Sequence, residues 1–396
     1  MRVSPILISP LLFQEVVKII RIMVSRHRSI NELKRVGKPE ETMKLANAEH
    51  FLSDNLRIKF QNLKSFAHRG CRKLLAACLL SVSLLTSSVG AQSKPLRELN
   101  VAYPFGGSTS YFWVAYRSGS FEKHGLRLQP IFIRGGVLGV QALLAKNVVV
   151  LLQGASAVVS AWAQGARELK YIGAVGNKLD YILAANKAIR SPADLKGKRV
   201  GVSQIGSSSD FIARYALRQI GLNPEKDVII IAIGAAGERW TALAGGQIDA
   251  SIFQPPLTQL ARKTGLMVFV DLAKVDFEYT VSGIVTTASF IRAEPETVMN
   301  FMRGLADGMD FYRDERNKEK TLRFLGEYFR TNSQEDLEGT RRAYSEVTPG
   351  LPLISAKAIE NVIVNDKNLS GLGVKADDIL DLSFLQKLQQ ERNTKR

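Results

Sequence analysis

The chain has 396 residues, 45% hydrophobic and 23% charged, which is enough for two medium domains with apolar cores and excludes a disordered or fibrous protein. The formal net charge is +17, but residues 1–91 hold +9 of it (15 Lys and Arg against 6 Asp and Glu), and the other +8 is spread along the rest without a long basic run, which argues against a nucleic-acid-binding face. Both cysteines, Cys71 and Cys78, precede residue 92, so the body of the chain has no disulfide framework and no thiolate metal site, as suits an oxidising compartment.

Residues 1–68 read as an extension outside the fold. Ile6–Val24 is apolar but broken by Glu15, Lys18 and Arg21, and residues 25–68 are polar and aperiodic. Arg69, Arg72 and Lys73 then precede an apolar run from Leu74 to Leu85 and a small-residue stretch ending in Val89-Gly90-Ala91. This is the pattern of an export signal over 69–91, too short to span a membrane, with cleavage expected after Ala91. Leu75-Ala76-Ala77-Cys78 offers lipidation at Cys78 as an alternative, although most of the apolar run lies beyond that cysteine.

From residue 92 short apolar strands alternate with helical stretches, the signature of an α/β protein with largely parallel sheets. Leu99–Tyr103 reads as a strand, followed by Pro104-Phe105-Gly106-Gly107-Ser108-Thr109-Ser110 and a helix over Tyr111–Ser118. Leu126–Ile133 and Val148–Leu152 read as the next strands. They end at Arg134-Gly135-Gly136 and Gly154-Ala155-Ser156-Ala157, each opening a helix. Ser191-Pro192-Ala193-Asp194-Leu195-Lys196-Gly197 marks a boundary. Strand Arg199–Val202, loop Gly206-Ser207-Ser208-Ser209 and helix Asp210–Ile220 come next, with Gly221 as the helix stop. Strand Val228–Ile233 leads through Gly234-Ala235-Ala236-Gly237 to another helix, and strand Ile248–Phe253 ends in Gln254. After a connecting strand over Tyr279–Thr287, helices are expected at Pro295–Phe311, Lys318–Phe329, Asp336–Glu346, Ser355–Asn365 and Leu380–Arg392, returning to cover the first lobe.

Two units rhyme. Leu143-Leu144-Ala145-Lys146-Asn147-Val148-Val149-Val150 aligns with Leu243-Ala244-Gly245-Gly246-Gln247-Ile248-Asp249-Ala250, each a helix end, a tight turn and a strand. Residues 92–186 are therefore assigned to lobe 1, 187–277 to lobe 2 and 278–396 to the second part of lobe 1. The expected hinge lies near Tyr181–Asn186 and Tyr279–Thr286. Open α/β sheets bind ligands beyond the carboxyl ends of their strands, and two such sheets face to face enclose a cleft.

Three segments resemble the solute-binding proteins of sulfonate-, nitrate- and taurine-type ABC importers, related to thiamine-pyrimidine-precursor-binding proteins. They are Tyr116 to Leu126, where a helix ends and a Gly turn starts a strand; Ser191 to Val202, the start of lobe 2; and Leu243 to Ala250. The resemblance implies a type II periplasmic-binding fold, two α/β lobes joined by a hinge with the ligand cleft between them. It also implies a monomer that serves a membrane permease. Lys146 and Val149 depart from the family, which usually has Gly and Asp there.

The candidate ligand-binding residues are those of the strand-end loops: Gly107, Ser108, Thr109, Ser110, Gly136, Ala155 and Ser156 in lobe 1, and Ser207, Ser208, Ser209, Gly237 and Gln254 in lobe 2. Glycine permits close backbone approach, and unpartnered N–H groups at helix starts attract anions. A single Ser or Thr there reads first as a helix cap; several loops converging on one cleft favour binding. Arg134 and Arg239 are candidate anion partners or solvated surface arginines. Phe105, Tyr111, Phe112, Trp113 and Trp240 could floor an organic ligand, although Phe112 and Trp113 suit a core equally.

The expected function is capture of a small organic anion, such as a sulfonate or a carboxylate, without metal or other cofactor. Only His124 lies in the body of the chain, in a turn, and neither a nucleophile elbow nor a phosphate-loop lysine occurs. The alternatives are an enzyme on the same scaffold, such as a pyrimidine-precursor synthase or a dehydratase-like protein, and a sensory binding domain.

Overall fold

The computed structural model describes residues 95–347, 350–369 and 371–394. The extension over 1–68, the export signal, the Ala91 cleavage site and Cys78 lie outside the described residues. The first sheet is built by β1 (Arg97–Tyr103), α1 (Ser110–Arg117), β2 (Leu126–Phe132), α2 (Gly136–Leu144), β3 (Val150–Gln153), α3 (Ala155–Ala163) and β4 (Leu169–Ala174). The chain then crosses to β5 (Ile182–Ala185), β6 (Arg199–Val202), α4 (Ser208–Gln219), β7 (Ile229–Ala232), α5 (Ala236–Ala244), β8 (Ala250–Phe253), α6 (Leu257–Lys263) and β9 (Met267–Asp271). It returns through β10 (Gly283–Thr287) to α7 (Ala288–Ala293), α8 (Pro295–Arg313), α9 (Lys318–Phe329), α10 (Gln334–Val347), α11 (Ala356–Asn365), α12 (Ala376–Ile379) and α13 (Ser383–Thr394).

The two sheets have one topology. Their orders are β2-β1-β3-β10-β4 and β7-β6-β8-β5-β9. In each, one antiparallel strand sits among four that run the same way: β10 between β3 and β4, and β5 between β8 and β9. That strand is the one that has just crossed from the other lobe. Residues 182–185 thus belong to the second sheet, which corrects the assignment of the chain up to residue 186 to lobe 1. The physical reason is that Ile182–Ala185 is a short apolar run buried along its whole length, and such a run suits the middle of either sheet. The connecting strand is likewise shorter than Tyr279–Thr287. Residues 279–282 form one of two crossing segments, bonded to the other through Tyr279 N–H to Asn177 O (2.9 Å) and Val281 N–H to Gly176 O (3.0 Å).

The return helices pack on lobe 1, with α8 against α1, α11 against α3 and α13 against β4. Gly308 permits the closest of these approaches, since a Cβ there would lie 2.5 Å from Ala115 Cα. Phe121 and Phe301 then meet with ring centroids 5.1 Å apart in the core beneath α8. On the hinge side, Phe211 of α4 stacks on Tyr279 at 5.4 Å, so apolar packing runs unbroken between the lobes.

Candidate functional site

Parallel strands deliver their carboxyl ends to one edge of each sheet, and the loops leaving β1, β2 and β3 meet those leaving β6, β7 and β8. They enclose a cavity of about 90 Å³ between the lobes. Its lining has two charged side chains, Arg134 and Arg239, and no carboxylate.

Arg239 is the fourth residue of α5 and is only 5% exposed. Its Nε donates to Ser251 Oγ (3.1 Å), Nη1 to Gly234 O (2.8 Å) and Nη2 to Ile252 O (3.3 Å). These bonds use three of the five guanidinium donors and none of them reaches a carboxylate. Burial pushes its pKa down to about 10, so the group remains a cation at neutral pH while lacking a full counter-charge. Arg134 is different. Its side chain is 70% exposed at the rim, 3.5 Å from Glu238 Oε1.

The hydroxyls of the lobe 2 loop form a cluster. Ser203, Ser207 and Ser209 lie 2.8 to 2.9 Å from one another. Ser207 also caps α4 by accepting from Asp210 N–H. Asp210 accepts from Gly206 N–H and Arg214 Nε, both at 2.8 Å, and is absent from the cavity lining. Ser208 faces lobe 1, where Gln153 Nε2 donates to its hydroxyl (3.3 Å). The first N–H groups of α4 and α5 have no intrahelical acceptors, and both helix starts line the cavity.

Lobe 1 spends most of its candidate hydroxyls internally. Thr109 lines the cavity, but its hydroxyl is 2.9 Å from the carbonyls of Pro104 and Gly106 and 2.6 Å from Tyr328, so it shapes the loop. Ser110 is fully buried beside Tyr312 and does not reach the cavity. Ala155 gives its N–H to Thr280 O (2.9 Å), and Ser156 pairs with the Tyr279 hydroxyl (3.1 Å). Neither lines the cavity, because the crossing segment stands between them and it. Gly237 is exposed on the outer side of α5 and also drops out. Ser108, Gly107, Gly136 and Gln254 do line it, and Ser108 makes no side-chain hydrogen bond within the described residues.

Of the expected aromatics only Phe105 reaches the cavity, stacked on Tyr328 at 4.8 Å. Tyr111 and Phe112 are wholly buried, Trp113 packs on Tyr328 and Trp240 packs on Phe253. Gln153, Ser203, Tyr181, Phe132 and Phe329 also line the cavity and were not expected from sequence. Gln153 carried one legible signal, a polar residue closing the apolar run Val150–Leu152.

The family model described as NMT1/THI5 like matches residues 108–318. The chain belongs to the NMT1/THI5-like family. A binding protein of Brucella abortus is 29% identical over 262 residues, covering 64% of this chain and 79% of that one. Among solved structures, a Bordetella bronchiseptica protein superposes with a TM-score of 0.66 at 18% identity, over 75% of this chain and 98% of its own. The alkanesulfonate-binding protein SsuA of Xanthomonas axonopodis pv. citri, bound to MOPS, gives 0.60 at 19% identity, over 74% and 100%. The periplasmic nitrate-binding protein NrtA of Synechocystis gives 0.60 at 9% identity, over 75% and 89%. This NMT1/THI5-like chain therefore has the periplasmic-binding-protein fold of two α/β lobes.

Proposed function

We propose that the protein is an exported, monomeric solute-binding protein that closes its lobes over a small organic anion and delivers it to an ABC importer. The observation that carries this reading is Arg239, a buried cation on the cavity wall that hydrogen-bonds no carboxylate among the described residues, feels Glu238 only at a distance, and has two donors to spare. Such a group gains most from an anion that enters and replaces its missing counter-charge. The serine hydroxyls and the α4 and α5 starts add neutral donors around it. The relatives named for alkanesulfonate and nitrate binding support the same chemistry, because both solutes are anions.

A thermal-shift screen of sulfonates, carboxylates, nitrate and pyrimidines tests the proposal, since a ligand that binds only the native state raises its apparent stability. The expected outcome is a rise in Tm with an anion that is absent in Arg239→Gln. A neutral or cationic ligand that binds equally well to both proteins would overturn it. Turnover of the bound compound would instead point to an enzyme on this scaffold.

A further inference from the structure

On the same lobe as the cation, the cavity wall holds an acceptor whose orientation is set from behind. Gln254 lines the cavity, and its Nε2 donates to Asp180 Oδ1 at 2.7 Å. The other carboxylate oxygen of Asp180 accepts from the Tyr344 hydroxyl. Burial pushes the Asp180 carboxyl up while the hydrogen bonds from Tyr344 and Gln254 pull it down; in its ionised form it only accepts, and so fixes which end of the Gln254 amide faces it. Oε1 is therefore turned toward Gly106, where an added Cβ would lie 2.6 Å away. Oε1 receives no hydrogen bond from the described residues.

The three groups come from three places. Asp180 lies between the first crossing segment and β5, Gln254 follows β8 in lobe 2, and Tyr344 belongs to α10 on lobe 1. Asp180 and Gln254 flank the paired strands β5 and β8, so the amide is oriented within lobe 2, and Tyr344 joins the carboxylate from lobe 1.

Building on the anion reading above, we propose that the ligand is an anion that also carries an N–H or O–H donor, held at one end by Arg239 and read at the other by Gln254 Oε1. Asp180 and Tyr344 are positioning residues for that amide. A ligand without the donor leaves Oε1 desolvated and unpaired in the closed cavity, the mismatch that binding sites discriminate against most strongly.

The test is calorimetric titration with ethanesulfonate, 2-hydroxyethanesulfonate and 2-aminoethanesulfonate, and with propanoate, 3-hydroxypropanoate and 3-aminopropanoate. The wild-type protein should favour the hydroxy or amino member of a series by about tenfold or more over the unsubstituted anion. Gln254→Leu should erase that preference while leaving the unsubstituted anion bound. Asp180→Asn, whose amide can donate to Gln254 and let it rotate, should reduce the preference and keep the fold, as checked by circular dichroism. Equal affinities within both series, with Arg239→Gln still abolishing binding, would overturn the donor requirement and leave the anion reading standing. Failure of all six anions to bind the folded protein would overturn both.

Discussion

The two lobes share a strand order and a helix–turn–strand unit 100 residues apart, yet they hold it by different means. In lobe 2, Asp249 accepts from the backbone N–H of Arg199 at 2.8 Å and from its Nε at 2.9 Å, and Arg199 also reaches Gly246 O at 2.8 Å. In lobe 1 the corresponding positions are Val149 and Asn100, and a single bond from Asn100 Nδ2 to Asn147 O (3.1 Å) replaces the ion pair. The backbone link is the same in both: Val149 N–H to Asn100 O at 3.0 Å and Asp249 N–H to Arg199 O at 2.9 Å. Even the left-handed turn residue is preserved, at φ 60° for Lys146 and 70° for Gly246. The parallel-strand frame therefore dictates the turn, and side chains fill it as they can. The cavity faces diverge further. Lobe 2 presents a buried cation and two helix starts, whereas lobe 1 presents glycines, Ser108 and Phe105 and closes over them.

The largest effect that would break this division of labour concerns the two arginines. Arg239→Gln should weaken anion binding by about 100-fold or more, on the order of 3 kcal/mol for losing a buried charge-assisted contact. Arg134→Gln, at the exposed rim, should change it by less than about threefold. Comparable losses in calorimetry would show that lobe 1 shares the anion seat.

Gly107→Ala probes the closing face next. A Cβ there would meet the buried Tyr344 hydroxyl of lobe 1 first and would lie 2.7 Å from the Pro255 carbonyl oxygen of lobe 2, so the methyl should displace Tyr344 and wedge the lobes apart. Affinity should fall by about tenfold, roughly 1.4 kcal/mol, and Tm without ligand should fall as well, because moving Tyr344 costs about 1–3 kcal/mol. Small-angle scattering with saturating ligand should show a more open particle than wild type; identical compaction would refute the wedge.

Asp249→Ala should destabilise the protein by about 1–3 kcal/mol in urea unfolding, and Asn100→Ala by about 1 kcal/mol or less. Hydrogen bonds from Arg199 hold the Asp249 carboxyl below its usual range. A depressed carboxylate pKa contributes stability above the unfolded value and loses it as pH falls through the folded one. The gap between wild type and Asp249→Ala should thus narrow below about pH 4. A gap independent of pH would mean that packing, rather than charge, carries the difference.

The smallest effect is at the turn. Lys146→Gly relieves a side chain in the left-handed region but adds freedom to the unfolded chain, for a net gain of about 0.5 kcal/mol. Gly246→Ala should lose about 1 kcal/mol. If both substitutions shifted the urea midpoint the same way, the turns would not be equivalent.

Much of this architecture was legible because strands and helices announce themselves through local periodicity. The ranges Arg199–Val202 and Lys318–Phe329 are the same in sequence reading and structure, and the 100-residue rhyme identified the repeated unit correctly. Strand-end loops were legible as well, since Gly and Ser runs after apolar strands have few other uses. Which side chain in a loop faces the cavity was not legible. Ser108 and Ser110 are two residues apart, and the start of α1 turns one outward and the other into the core beside Tyr312. Nor could the sequence distinguish Arg134 from Arg239, because the burial that separates them comes from β8 passing beneath α5. The membership of Ile182–Ala185 was equally a tertiary decision. Local pattern determines that a segment becomes a strand, whereas its neighbours in the sheet are chosen by hydrogen bonds to residues 65 to 89 positions away, and only the folded chain brings those within reach.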